Sequence, residues 1–269
     1  MKKSKKNFFK FISEQRVTTV AAAWVYYFLT ALLPLAFLLI TAFGVFKVDL
    51  TAELIRKLPE EFRQAGEVIV NTAKNASGGI TVFFIITVFF SGSALLNQMI
   101  KDGEHFYGLI AKRRGGILRR LLSVGALGVL FCAFLAAALL ITFGSKVSEL
   151  IGLASKNNLF AEILSFLFVI LFIYGIIILL NALISPVKLK FSNLLTGAFV
   201  ALAITVIGSL AFMLYLRFFA NYNKFYGSLA AIIVFLLWAY IVMLGISVGA
   251  ATSTYLYKKE NPSKEKENA

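Results

Sequence analysis

The sequence contains one histidine, so any chemistry that needs an imidazole must use His105. It stands in a short polar run with Asp102 and Glu104. A Ser-His-Asp arrangement needs that ring oriented by a carboxylate and facing a hydroxyl. His105 reads more simply as a solvated loop residue. Metal-assisted hydrolysis needs several converging carboxylates or histidines. The carboxylates on the same side of the chain are chiefly Glu14, Asp102, Glu104 and the glutamates of the tail. They show no H-x-E-x-H or similar spacing, and Cys132 is the single cysteine. A phosphate-cradling glycine loop is absent too. These observations disfavour an enzyme, and neither a metal nor a cofactor is expected.

The remaining polar groups are uncharged and sit in apolar segments. They are Ser91, Ser93, Asn97 and Gln98, then Asn181 and Ser185, then Tyr215. Ser93 and Asn97 share a helical face. Such residues either bond between helices or line a polar route. In the first apolar segment Tyr27, Thr30, Ala31 and Pro34 fall near one face. Pro34 removes a backbone donor, bends the helix and leaves the Thr30 carbonyl without its usual partner. In lipid that carbonyl must be satisfied, so this face is expected to point into the bundle near Ser93 and Asn97. It serves either a kinked anchor or a helix lining a pathway. Tyr226, Gly227 and Trp238 complete the candidate pathway or packing residues.

The elements that carry these residues are membrane spans. Hydrophobic residues make up 59% of the 269, and charged residues 15%. Val20 to Phe46 carries no charged side chain. As a helix it would rise ~40 Å, more than the ~30 Å hydrocarbon core of a bilayer. Five further charge-free segments follow, at Gly79–Ile100, Leu121–Phe143, Ile163–Ile184, Phe191–Leu216 and Phe225–Tyr257. The pattern predicts an all-α, polytopic six-transmembrane-helix bundle. No proton relay built on charged residues fits spans that contain none.

With the N-terminus inside, the inner segments hold 18 of the 27 Lys and Arg residues and the outer loops nine. That bias puts both termini in the cytoplasm. Lys112, Arg113, Arg114, Arg119 and Arg120 crowd one inner loop. Each cation near an anionic leaflet is worth ~1 kcal/mol, so these five are candidate lipid headgroup contacts. Membrane lipids, anionic on the cytoplasmic face, are the expected partners. No nucleic acid is expected, and a homo-oligomer is compatible with the sequence.

Residues 1–19 form a basic N-terminal segment, with Phe8, Phe11, Ile12 and Gln15 at the spacing of a short interfacial helix. Residues 20–257 form the membrane domain, and residues 258–269 a polar tail expected to be disordered. In the first outer loop Leu50, Leu54, Leu58 and Phe62 recur every fourth position around Pro59. Two short amphipathic helices, or a solvated loop, fit there. Small residues recur at Gly197, Ala201, Thr205 and Ser209, and again at Gly245, Gly249 and Ser253. Such stripes let helices approach closely, within one chain or across a dimer. Phe106-Tyr107-Gly108 and Phe225-Tyr226-Gly227 would lie on opposite sides, as in an inverted repeat.

Four stretches carry a resemblance: AAAWVYYFLTALLPLAFLLITAFG at 21–44, SGSALLNQ at 91–98, SPVKLKFSNLLTGAFVA at 185–201, and YGSLAAIIVFLLWAYIVMLGISVGA at 226–250. In these the chain resembles the YihY/BrkB family of bacterial inner-membrane proteins. The resemblance implies six membrane helices and an inner-membrane location. It also brings a ribonuclease BN-like label, which the residue inventory opposes. Two readings remain. One is a transporter or a lipid or amphiphile translocator; the other is a non-transporting scaffold or interaction protein of the envelope.

Overall fold

The computed structural model describes residues 8–45, 78–108, 114–150, 159–218 and 229–262. These residues form seven helices and no strand. A short helix, α1 (Phe8–Glu14), precedes six long ones. They are α2 (Val17–Val45), α3 (Gly78–Tyr107), α4 (Gly116–Leu150), α5 (Leu159–Ile184), α6 (Phe191–Phe218) and α7 (Leu229–Glu260). Among the described residues four helices, α4 to α7, are long and apolar enough to cross a membrane, and Val17–Leu32 is a shorter apolar stretch.

Burial is arranged inside out relative to a water-soluble protein. Phe83, Phe90, Leu121, Leu171, Ile207 and Met213 are all exposed. Ser93, Ser123, Asn181, Ser247, Ser253 and Thr254 are buried. Exposed apolar surface on this scale has no stabilising contact in water. In lipid it costs nothing, whereas polar groups must find partners inside.

The polar and bonded ends of the long helices gather at one end of the bundle. Ser247 of α7 donates to the Val17 carbonyl at the start of α2 (3.3 Å). Ser253 donates to the Asn193 carbonyl at the start of α6 (3.1 Å). Lys258 donates to the Phe106 carbonyl near the end of α3 (3.0 Å). Consecutive long helices therefore run in alternating directions. The main apolar core lies at the same end, built on Trp24, Met99, Phe106, Tyr107, Ile184 and Tyr257.

The small-residue stripes of α6 and α7 face each other within the chain. A Cβ placed on Gly249 would stand 2.5 Å from the Gly197 carbonyl oxygen and 2.6 Å from Ala201 Cβ. One placed on Gly245 would stand 2.9 Å from the Ala201 carbonyl oxygen. The two backbones meet so closely that only glycine fits at these crossings.

Several boundaries differ from the apolar pattern. That pattern stops at Ile100, but α3 continues to Tyr107 because Phe106 and Tyr107 are themselves core residues. Lys258 to Glu260 continue α7 and do not begin a free tail. Glu260 pairs with Lys190 (3.2 Å) and accepts from Asn193 (3.2 Å), which holds this last turn. The N-terminal helix packs on protein, with Phe8 and Phe11 against the Tyr255 ring and Phe11 buried. It ends at Glu14; Arg16, whose φ of 50° is left-handed, turns the chain, and α2 begins one residue later. Through position 34 α2 stays helical. The Pro34 side chain, the expected outer helices at 50–62, and Tyr226 and Gly227 lie outside the described residues.

Candidate functional site

At the bonded end of the bundle, α3 turns its last two turns toward the start of α4. The sequence DGEH puts Asp102, Glu104 and His105 there, with Gly103 between them. Gly103 is buried against the Ile184 carbonyl, and no side chain would fit in its place. That contact fixes α3 on the end of α5, so its neighbours face α4. Lys101, Asp102, Glu104, His105, Arg114 and Arg119 line a partly open cavity of about 360 Å³.

Glu104 is only 4% exposed, and both of its carboxylate oxygens are used. Arg119 pairs with Oε2 at 2.9 Å. The Arg114 backbone N–H donates to Oε1 at 3.1 Å. A buried charge of this kind is tolerable only with such partners. Arg114 uses its guanidinium elsewhere, donating to the carbonyls of Leu183 (3.0 Å) and Ser185 (2.6 Å). These carbonyls end α5, where helical acceptors lack an internal partner. Burial lowers the Arg114 pKa, and the nearby Glu104 charge partly restores it.

Asp102 sits where the cavity meets α2. The indole N–H of Trp24 donates to Oδ2 at 2.7 Å, and Gln98 donates to Oδ1 at 3.0 Å. Trp24 itself is fully buried. Burial raises the Asp102 pKa; the two hydrogen bonds, with Lys101 and His105, oppose that rise. Beside the site, Tyr107 OH lies 3.1 Å from Ser185 Oγ. The Ser185 hydroxyl proton goes to the Val187 carbonyl (2.8 Å), so Tyr107 is the donor of that pair. Burial pushes its phenol up to about 12 and keeps it protonated.

The residues singled out from sequence are dispersed. Ser93 is buried and donates to the Phe90 carbonyl of its own helix (3.0 Å). Asn97 and Tyr27 are half-buried. Thr30 is exposed and donates to the Tyr27 carbonyl (2.8 Å). The buried stripe of α2 runs instead through Val17, Ala21, Trp24 and Ala31. Trp238 is exposed, with its ring 6.1 Å from that of Phe235. Asn181 is buried, and neither end of its amide has a hydrogen-bond partner among the described residues.

Of the five candidate headgroup cations, Lys112 and Arg113 lie outside the described residues. Arg114 and Arg119 have a different use: they neutralise Glu104 and cap α5. The buried carboxylate is the physical reason they turn inward. Arg120 lies over the Phe90 ring, 5.0 Å from its centroid. Trp24, Asp102 and Glu104 were not distinguished as a site by spacing. One signal was available. An indole N–H in an apolar segment needs an acceptor, and Asp102 and Glu104 are the carboxylates of the adjoining inner segment.

Comparison with known proteins extends this description. The family model described as virulence factor BrkB matches residues 8–269. The ribonuclease-like protein YfkH of Bacillus subtilis is 29% identical, over 90% of this chain and 92% of its own. A UPF0761 membrane protein of Photobacterium profundum is 27% identical, over 89% of this chain and 77% of its own. One from Haemophilus influenzae is 26% identical, over 93% of each. No solved structure gives a significant match. With an apolar exterior, a polar interior and a family match over nearly its whole length, this chain is an integral membrane protein that belongs to the BrkB family.

Proposed function

We propose that the chain is a bacterial inner-membrane translocator of anionic amphiphiles, with six membrane-spanning helices and both termini in the cytoplasm. The observation that carries this reading is the partly open cavity of about 360 Å³ at the bonded end of the bundle, lined by Lys101, His105 and two arginines as well as two carboxylates. A cavity of that size admits a charged headgroup while exposed apolar helix faces leave the acyl chains in lipid. With Glu104 and Asp102 each holding two internal donors, Lys101 and His105 are the exposed cationic or titratable groups of the lining. The ribonuclease-like name of YfkH is not carried to this chain. Asp102 and Glu104 spend their oxygens on Trp24, Gln98, Arg114 and Arg119, and so do not converge on a metal.

The test is movement of a fluorescent phosphatidylglycerol analogue across reconstituted vesicles. Wild-type protein should accelerate it well beyond protein-free vesicles. The double variant Lys101→Ala/His105→Ala should slow it several-fold while remaining monodisperse. Wild-type rates no faster than empty vesicles would sink the reading and leave the scaffold alternative. Purified protein should also cleave no RNA with Mg²⁺ or Mn²⁺. Cleavage that co-purifies and disappears in Asp102→Asn would overturn that part.

A further inference from the structure

Asp102 lies just beyond the apolar stretch of α3, yet its carboxylate is bonded to a fully buried residue of α2. One side of it belongs to the cavity wall, which gives protons a route from water. The other side holds the Trp24 indole, which can only donate. We propose that Asp102 is a proton-binding site whose occupancy sets the strength of the α2–α3 seam, so that the coupling ion of the translocator is the proton. The coupling rests on the translocator reading; the binding site does not.

Its surroundings suit reversible protonation. Among the described residues, the charged and titratable groups facing the site are Lys101, Glu104 and His105 from α3, and Arg114 and Arg119 from α4 and the residues before it. Glu104 is already paired with Arg119. From α7, Lys258 reaches the Phe106 carbonyl, one turn further along α3. No charged residue occurs in α2 from Val17 to Val45. Among the described residues no cation is bonded to the Asp102 carboxylate: Trp24 and Gln98 supply its hydrogen bonds. Burial shifts it toward the neutral acid.

The donor set also has a defined way to accept the proton. As an anion, Asp102 receives from both Trp24 and Gln98. As an acid, it keeps its carbonyl oxygen for Trp24 and turns its O–H toward Gln98. Rotation of the Gln98 amide then offers an acceptor in place of a donor. The Trp24 bond persists but loses its charge assistance, and such bonds are roughly half as strong. Proton binding therefore weakens this one bond across the seam and proton release strengthens it, while burial of the anion weighs the other way.

Full-length protein carrying Trp238→Phe keeps Trp24 as its one indole, since the chain has two tryptophans. In phosphatidylcholine vesicles, Trp24 emission and the infrared band of a protonated carboxyl should titrate together. Their shared midpoint should lie above the ordinary aspartate value of ~3.9. Asp102→Asn should abolish the emission change, hold the acid-form emission at every pH, and remove one component from the carboxyl band that the other twelve Asp and Glu residues also give. Should that variant fail to accumulate, Trp24→Phe gives a second reading: losing the donor should move the infrared midpoint further up. A flat wild-type emission, an emission titration that survives in Asp102→Asn, or a carboxyl band identical in the two proteins overturns the proton site. The coupling is tested separately with the phosphatidylglycerol analogue, whose movement should follow the same midpoint in wild type and lose its pH dependence in Asp102→Asn. An unchanged pH profile in that variant overturns the coupling. Titration without any lipid movement upholds the site and removes the translocator instead.

Discussion

At the residue scale, the charged groups of the cavity divide into those that hold the fold and those left to respond. Glu104 belongs to the first kind. Removing its charge strands Arg119, whose Nε already has no partner among the described residues. Breaking a buried pair costs 3–5 kcal/mol, and the partial exposure of Arg119 places this one at the lower end, about 3 kcal/mol. Glu104→Gln should therefore lower the midpoint of thermal unfolding in detergent markedly, whereas Lys101→Ala should leave it almost unchanged. Asp102 belongs to the second kind, and its effect on stability has a definite sign. Its pKa in the folded state is raised, so the folded protein binds the proton more tightly than the unfolded chain does. That contribution is complete below the unfolded value and is lost as pH rises through the folded one. The thermal midpoint of wild type relative to Asp102→Asn should thus be highest in acid and fall as the solution becomes neutral. A gap that widens with rising pH would contradict the assignment of burial as the dominant cause.

At the element scale, the α6–α7 seam is the tightest contact and the easiest to test. Gly249→Val would drive a branched side chain into the Gly197 carbonyl and Ala201. Backbone cannot yield as a side-chain tip does, so the cost should exceed ~3 kcal/mol, read as loss of the monodisperse peak on size exclusion. Gly175→Ala on α5 meets nothing within 4 Å and should instead gain about 0.5–1 kcal/mol from helix propensity. The seam was legible in the sequence because small residues every fourth position have a direct packing meaning. The apolar cores of the helices were legible for a similar reason. What stayed hidden was the extension of α3 past Ile100, since Lys, Asp, Glu and His mark the end of an apolar stretch but do not end a helix. The same blind spot concealed the site. Spacing along the chain does not reveal that Glu104 meets Arg119, or that Asp102 meets Trp24, 78 positions away. A basic loop looks like a lipid-facing patch until a buried carboxylate is found to claim its arginines.

At the scale of the whole molecule, the open matter is which helices cross the membrane. Among the described residues α4 to α7 are long and apolar enough to do so. Their neighbours α2 and α3 alternate with them in direction and share the same bonded end, through Trp24 with Asp102 and Ser247 with Val17. If α2 and α3 also cross, the segment 46–77 between them must lie outside the cell. If they only rest on the inner surface, it must lie inside. The length of their charge-free stretches, Val20–Phe46 and Gly79–Ile100, favours crossing, since each reaches the ~20 residues a spanning helix needs. A probe at Glu60 decides between the two. In a Cys132→Ala background, a membrane-impermeant maleimide should label Glu60→Cys in intact cells. It should reach Lys112→Cys only after the cells are permeabilised. Labelling of both positions only after permeabilisation would leave four crossing helices, with the α2–α3 pair on the inner face. Labelling of Lys112→Cys alone in intact cells would invert the molecule, and the cavity would then open outward, where the lipid headgroups and the proton gradient it meets are different.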